Sequence, residues 1–180
     1  MVAHFCIKYF VFFIILLYNN PMNKKIKIIL ISDNHRTREC LQYIRETYRD
    51  ADYFLHCGDT ELPPYETEGF AVVQGNNDYY GTFPMRRVLE IGKHRIYMVH
   101  GHRDMIYGRF EMLVQRAKAH DCDMVFFGHT HIYFDKVVEG VRLLNPGSIW
   151  RNRDGSKPSY MVIIFDGDEV IVERKTYEKP

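Results

Sequence analysis

The chain has 180 residues, nearly half of them apolar (46%) and about a quarter charged (26%), with a formal net charge of +1. That composition suits an ordinary globular protein with a real core, and a charge so near zero gives no electrostatic pull toward nucleic acid or an anionic membrane. The four cysteines, Cys6, Cys40, Cys57 and Cys122, include no C-x-x-C pair; this excludes a visible zinc knuckle or redox motif and fits a reducing, cytoplasmic setting.

The first feature in chain order is an apolar run of ten residues, YFVFFIILLY, at positions 9–18. A helix that crosses a bilayer needs about 20 apolar residues. The run has the length of a signal-peptide core, yet the YNNPMNKK after it has no small-x-small cleavage site. Residues 1–21 are expected to be an extension that the fold does not need, and residues 22–180 to form one domain. A signal, a short anchor or an integral piece of the fold are the alternatives.

KIKIILISD (25–33) is short, β-branched and apolar, the pattern of a strand buried on both faces. TRECLQYIRETY (37–48) places Cys40, Leu41, Ile44 and Tyr48 on one helical face, with Thr37 as the expected cap. DYFLHCGD (52–59) and GFAVVQGNND (69–78) read as further strands, each ending in glycine and polar residues. RRVLEIGKHRIYMVHGH reads as a hairpin turning at Gly92-Lys93, GRFEMLVQRAKAH (108–120) as an amphipathic helix, and DMVFFGHTH as another buried strand. Two more hairpins come after it, turning at Glu139-Gly140 and at Asp166-Gly167-Asp168. The expected fold is α/β, with two packed mixed sheets and helices outside.

Polar residues with metal-ligand chemistry recur just after the apolar strands. Asp33 and His35 follow the first, Asp59 the second, Asn76 the third, His100 and His102 the hairpin strand, and His129 and His131 the next. In α/β sheets ligands bind beyond the carboxyl ends of strands. Carboxylates, imidazoles and an amide oxygen suit Mn, Fe, Zn or Ni, and the lack of a thiolate set argues against structural zinc. Gly58, Gly75, Gly101 and Gly128 stand beside these residues, where a chain without Cβ can approach an ion closely.

Taken together and in order, D-N-H (33–35), G-D (58–59), G-N-N-D (75–78), H-G-H (100–102) and G-H-T-H (128–131) resemble the motif set of the calcineurin-like metallophosphoesterases. With NPGS (145–148) and the short length, they look most like the small prokaryotic phosphodiesterases of the YfcE-like branch. The resemblance covers roughly residues 25–176. It implies a four-layer α/β/β/α sandwich and a two-metal hydrolase that cleaves phosphodiesters with a bridging hydroxide. It assigns Asp33, His35, Asp59 and His131 to one ion, and Asp59, Asn76, His100 and His129 to the other, with Asp59 shared. The implied cofactor is a pair of divalent ions, Mn2+ first, with Ni2+, Fe2+ and Zn2+ also suited.

Asn77 stands where many members of that family have a histidine proposed as the leaving-group acid. An amide can orient a phosphate oxygen but cannot usefully protonate an alkoxide. His102 is then the candidate replacement acid or a phosphate contact, while Asn76 and His100 help place the phosphate. Asn77 and Arg36 are the candidate substrate contacts, the latter because a guanidinium fork matches phosphate oxygens. Tyr79, Tyr80 and Tyr107 are candidate cleft residues. The expected substrate is a small phosphodiester, with no stable nucleic-acid binding, no membrane role unless residues 1–21 anchor the chain, and homo-oligomer formation left open. A phosphomonoesterase, a nuclease, or a non-catalytic protein-binding scaffold of the same fold are the rival readings.

Overall fold

The computed structural model describes residues 25–79, 83–105 and 109–178. The expectations for residues 1–21, and for Tyr80 and Tyr107, lie outside the described residues. The strands are β1 (Ile26–Ile31), β2 (Tyr53–His56), β3 (Ala71–Val72), β4 (Arg86–Ile91), β5 (His94–Val99), β6 (Met124–Phe126), β7 (Tyr133–Val138), β8 (Val141–Pro146), β9 (Ser159–Asp166) and β10 (Glu169–Thr176). Among the described residues the helices are α1 (Glu39–Thr47) and α2 (Glu111–Ala119), and a 3-10 turn covers Pro64–Thr67.

The strands form two five-stranded sheets, ordered β10-β9-β1-β2-β3 and β4-β5-β6-β8-β7. Both are mixed. β1 runs parallel to β2, and β2 to β3, while β9 pairs antiparallel with β1 and β10. In the second sheet β5, β6 and β8 run parallel, and β4 and β7 close the edges antiparallel.

Alternation along the strands sets the layers. Ile28 and Leu30 join Leu55, Met98, Phe126 and Met161 in a core between the sheets. Ile29 and Ile31 point the other way, onto Cys40, Leu41 and Ile44 of α1. β6 divides likewise, with Met124 and Phe126 facing the first sheet and Val125 facing Leu113, Val114 and Ala117 of α2. Four layers result, α/β/β/α, as expected. Strands buried on both faces need no polar alternation, which is why β1 reads as a continuous apolar run. Each fully buried Ile or Leu here contributes about 1.5–3 kcal/mol.

One local expectation fails. Thr37 does not cap α1; the residue before the helix is Arg38, in helical conformation, and no side chain caps the end. Asn34 turns the chain instead, its carbonyl accepting from Thr37 N at 3.0 Å and its amide Nδ2 donating to Thr37 O at 3.0 Å. A second turn therefore precedes the helix, and Thr37 belongs to it.

Candidate metal centre

The loops after β1 and β2 continue side by side past the ends of the strands. Asp33 N donates to Gly58 O at 3.0 Å, His35 N to Asp59 O at 3.2 Å and Arg36 N to Thr60 O at 2.9 Å. From the other sheet, Gly128 N donates to His100 O at 3.0 Å, and His129 N donates to Asp33 Oδ2 at 3.1 Å. The carboxyl ends of strands from both sheets thus meet at one place.

Backbone conformation there is unusual. Asp33 (φ 54°), His35 (42°), Asp59 (55°), His129 (66°) and His131 (57°) are all left-handed. L-residues seldom adopt this region, although Asp and His do so more readily than most. Each instance costs on the order of 1 kcal/mol and persists only where its surroundings over-determine it. Two glycines permit the approach. A Cβ on Gly75 would overlap Asp59 Oδ1, and one on Gly128 would overlap Ser32 Oγ and lie 2.8 Å from Asp33 Oδ2.

Hydrogen bonds fix the imidazoles from behind. His35 Nδ1 contacts Glu61 Oε1 at 2.7 Å, His100 Nδ1 contacts Cys57 O at 2.7 Å, and His131 Nδ1 contacts Arg151 O at 3.0 Å. Each partner is an acceptor, so each Nδ1 carries a proton and each Nε2 is turned toward the centre. Those Nε2 atoms meet one another and nearby oxygens. His35 Nε2 lies 3.2 Å from His131 Nε2, which lies 3.2 Å from Asp33 Oδ1. His100 Nε2 lies 3.1 Å from Asn76 Oδ1, 3.5 Å from Asp59 Oδ2 and 4.0 Å from Asp33 Oδ1. Asp33 Oδ1 is buried and has no hydrogen-bond partner of good geometry. Nitrogen and oxygen atoms gathered in this way are placed to share a cation. The donors therefore fit a divalent metal of the borderline kind.

Among the described residues, two groups of donors are close enough to hold an ion: Asp33, His35 and His131, and Asp33, Asp59 and His100. Asp33 is the carboxylate common to both. Asp59, which the resemblance assigns to both ions, falls within one of these two groups. Asn76 touches His100 through its amide oxygen, and His129 stacks edge-on against the same ring, with centroids 5.1 Å apart.

The charges are mutually adjusted. Burial pushes the Asp59 carboxyl up, but the contact with His100 and two bonds from Asn77 outweigh it and hold the group well below the usual range. Burial acts the same way on Asp33, and His131 and His100 outweigh it. Burial would lower His100, yet Asp59 and Asp33 raise it. His129 goes the other way, pushed down to about 4 by burial and by the charge of His100, so it is neutral at pH 7.

The remaining candidates are less close to the donors. Asn77 donates to both oxygens of Asp59, from N at 2.8 Å and from Nδ2 at 2.7 Å, so it holds that carboxylate in place. Arg36 is largely exposed and pairs with Glu61 Oε2 at 2.8 Å. His102 sits beside His100, with ring centroids 5.5 Å apart, and its buried Nδ1 has no partner. Tyr79 is 81% exposed.

Other residues support the loops; Asp78 is a supporting or turn residue by its sequence, and the rest carry no signal of such support. Asp78 accepts from Asp59 N, Thr60 Oγ1, Glu61 N and Gly75 N at 2.7–2.9 Å, binding the second and third motifs together. Ser148 Oγ donates to Asp33 O at 2.8 Å, and Asn145 Nδ2 to Gly128 O at 2.8 Å and Thr130 Oγ1 at 3.1 Å. Thr130 is thus an anchor for the G-H-T-H loop. Among the groups that orient the imidazoles, Glu61, two residues beyond Asp59, carried the only legible hint; the Cys57 and Arg151 carbonyls carried none.

Residues 26–168 match the family model of the calcineurin-like phosphoesterase superfamily domain. The chain is 34% identical over 148 residues to a Bacillus subtilis protein named "Probable metallophosphoesterase YsnB", covering 81% of this chain and 88% of that one. A crystal structure of a predicted phosphoesterase from Streptococcus pneumoniae TIGR4 superimposes with a TM-score of 0.80 at 32% identity, over 85% of this chain and 90% of the other. Zinc-complexed Vps29 from Entamoeba histolytica shares the fold, with a TM-score of 0.61 at 24% identity over 83% and 98% of the two chains. The chain belongs to the calcineurin-like phosphoesterase superfamily. That family is metal-dependent, and its members of this kind are hydrolases.

Proposed function

We propose that the protein is a metal-dependent phosphodiesterase that acts on a small phosphodiester with two divalent ions. The observation that carries this reading is the convergence of imidazole nitrogens and carboxylate oxygens at the joined ends of two sheets. Asp33, His35 and His131 would hold one ion, and Asp59, Asn76, His100 and His129 the other, with Asp33 placed to serve both. When bound, such ions supply Lewis acidity toward phosphoryl oxygens and a nucleophilic water at neutral pH. Mn2+ is the first choice from the donor types, with Ni2+, Fe2+ and Zn2+ equally able to bind. The buried thiol of Cys57 is in neither donor group.

The leaving group meets little acid. Asn77 is engaged with Asp59 and cannot serve as a proton donor to an alkoxide. His102 is pushed below the ordinary histidine value by burial and by His100 and Arg103, so it is mostly neutral at pH 7. A good general acid supplies about 10²–10⁴ in rate, and substrates that need none are favoured. With each metal added back in turn, bis(p-nitrophenyl) phosphate is expected to turn over at least about 100-fold faster than a dialkyl phosphate. Equal rates would remove this account of the leaving group, and activity confined to monoesters would replace the diesterase reading. A scaffold role is supported by the likeness to Vps29, which is a likeness of fold alone; the complete donor set favours the enzyme.

We infer a cytoplasmic setting from the buried free thiols of Cys57 and Cys122. Among the described residues, no helix is long and apolar enough to cross a membrane.

A further inference from the structure

Beside the donors of the first ion the surface opens into a cavity of about 690 Å3, lined by His35 and His131. The segment after β8 adds Trp150, Arg151 and Arg153 to that lining. None of the five motifs includes these residues.

The segment is held to the centre by its backbone. Ser148 Oγ accepts from Trp150 N at 3.1 Å and from Arg151 N at 2.9 Å, and Arg153 N donates to His131 O at 3.0 Å. The indole of Trp150 meets the His35 ring edge-on, with centroids 5.3 Å apart and planes at 66°. That contact fixes the ring, yet 37% of Trp150 stays exposed. A large flat apolar surface left wet beside a polar centre gains by being covered, at about 25 cal/mol per Å2. Indole is also a strong platform for a planar ring.

Charge narrows the ligand. The residues lining the cavity include no carboxylate and two arginines. Arg153 Nη1 reaches toward His129 O at 3.4 Å. The guanidinium of Arg151 has no hydrogen-bond or ion-pair partner among the described residues, although its carbonyl and its N are both engaged. A fork of this kind matches phosphate oxygens. A ligand with a planar ring at one end and phosphate at the other satisfies both features. The net charge of +1 gives no extended track for a long nucleic acid.

We propose that Trp150 and Arg151 form a nucleotide subsite, in which the indole stacks on a nucleobase and the guanidinium takes a phosphate oxygen. The diester that the centre cleaves then carries a nucleoside arm. This rests on the phosphodiesterase reading for its catalytic consequence, but not for the binding itself.

Trp150 is the lone tryptophan of the chain, so its emission reports the subsite directly. The full chain, before and after addition of Zn2+, is titrated with adenosine 5′-monophosphate, ribose 5-phosphate and inorganic phosphate. Saturable quenching by the nucleotide alone is expected. By calorimetry, Trp150→Ala is expected to weaken nucleotide binding roughly 5- to 100-fold, as loss of one stacked base does. Trp150→Phe should keep most of the affinity, and Arg151→Met should weaken the nucleotide and ribose 5-phosphate alike. Equal affinity of the wild-type protein for the nucleotide and for ribose 5-phosphate would overturn the proposal, as would unchanged binding in Trp150→Ala. Hydrolysis of bis(p-nitrophenyl) phosphate is followed in parallel. If it is absent while the nucleotide still quenches, the phosphodiesterase reading fails and the subsite stands. If it is present without base-dependent binding, the reverse holds.

Discussion

Asp33 is fully buried, sits at a left-handed φ of 54° and belongs to both donor groups. One of its oxygens is held by His129 N and the other faces His131 and His100. If two ions bind as proposed, a carboxylate in that position would serve both, whereas Asp59 lies in one donor group only. Asp33→Asn keeps the shape and removes the charge. It is expected to take bound metal from about two ions per chain toward none, while Asp59→Asn keeps the ion on the side of His35 and His131. Metal content of the purified variants by mass spectrometry checks this. If Asp59→Asn strips both ions and Asp33→Asn only one, the shared ligand is Asp59, as the family resemblance implies.

At the scale of the element, the site is built by the loops that leave the strands. β1, β2, β5 and β6 each end in a loop that turns within two or three residues and places a donor. The strands, the two helices and the three hairpin turns were legible because apolar runs, helical spacing and Gly-containing turns are local signals. The donors were legible because they recur directly after those runs. The left-handed backbone of Asp33, His35, Asp59, His129 and His131 was not, since it is imposed by hydrogen bonds between loops far apart in sequence. The same reason hid the carbonyls that orient the imidazoles. Thr37 was misread because a cap is judged from one residue, whereas Asn34 reaches forward and claims the turn. The pairing of β6 with β8, rather than with its neighbour β7, likewise has no local signal. Gly128 tests the element. Its replacement by alanine would drive a Cβ into Ser32 Oγ and close to Asp33 Oδ2, forcing the ends of β1 and β6 apart. Gly128→Ala is expected to cost about 1–3 kcal/mol of stability in urea unfolding and to weaken Zn2+ binding at least about 10-fold. Unchanged metal affinity would mean that the close approach of the two loops is not what builds the site.

At the scale of the whole molecule, the centre ties the two sheets together, so protons and metal both bear on folding. His56 shows how far this extends behind the donors. It is fully buried, accepts from Gly58 N at Nδ1 (3.0 Å) and contacts Asn34 Oδ1 from Nε2 at 3.0 Å. The ring is therefore neutral, with its proton on Nε2, and it supports the loops of the first and second motifs together. Burial pushes its pKa down to about 4, against about 6.5 in an unfolded chain. Between those values the unfolded chain takes up a proton that the folded one refuses. The stability that His56 contributes is present in full above pH 6.5 and is lost as the pH falls toward 4, by on the order of 3 kcal/mol. His129 adds to this trend and His100, whose pKa is raised, opposes it, so the contribution of His56 is read as a difference. In chelator-treated protein, the urea stability of the wild type is expected to fall across pH 6.5–4 more steeply than that of His56→Gln. The two curves should converge near pH 4, because glutamine has no proton to gain. Parallel curves over that interval would show that His56 is not held neutral by its buried position, and that its place beneath the two motifs is one of packing alone.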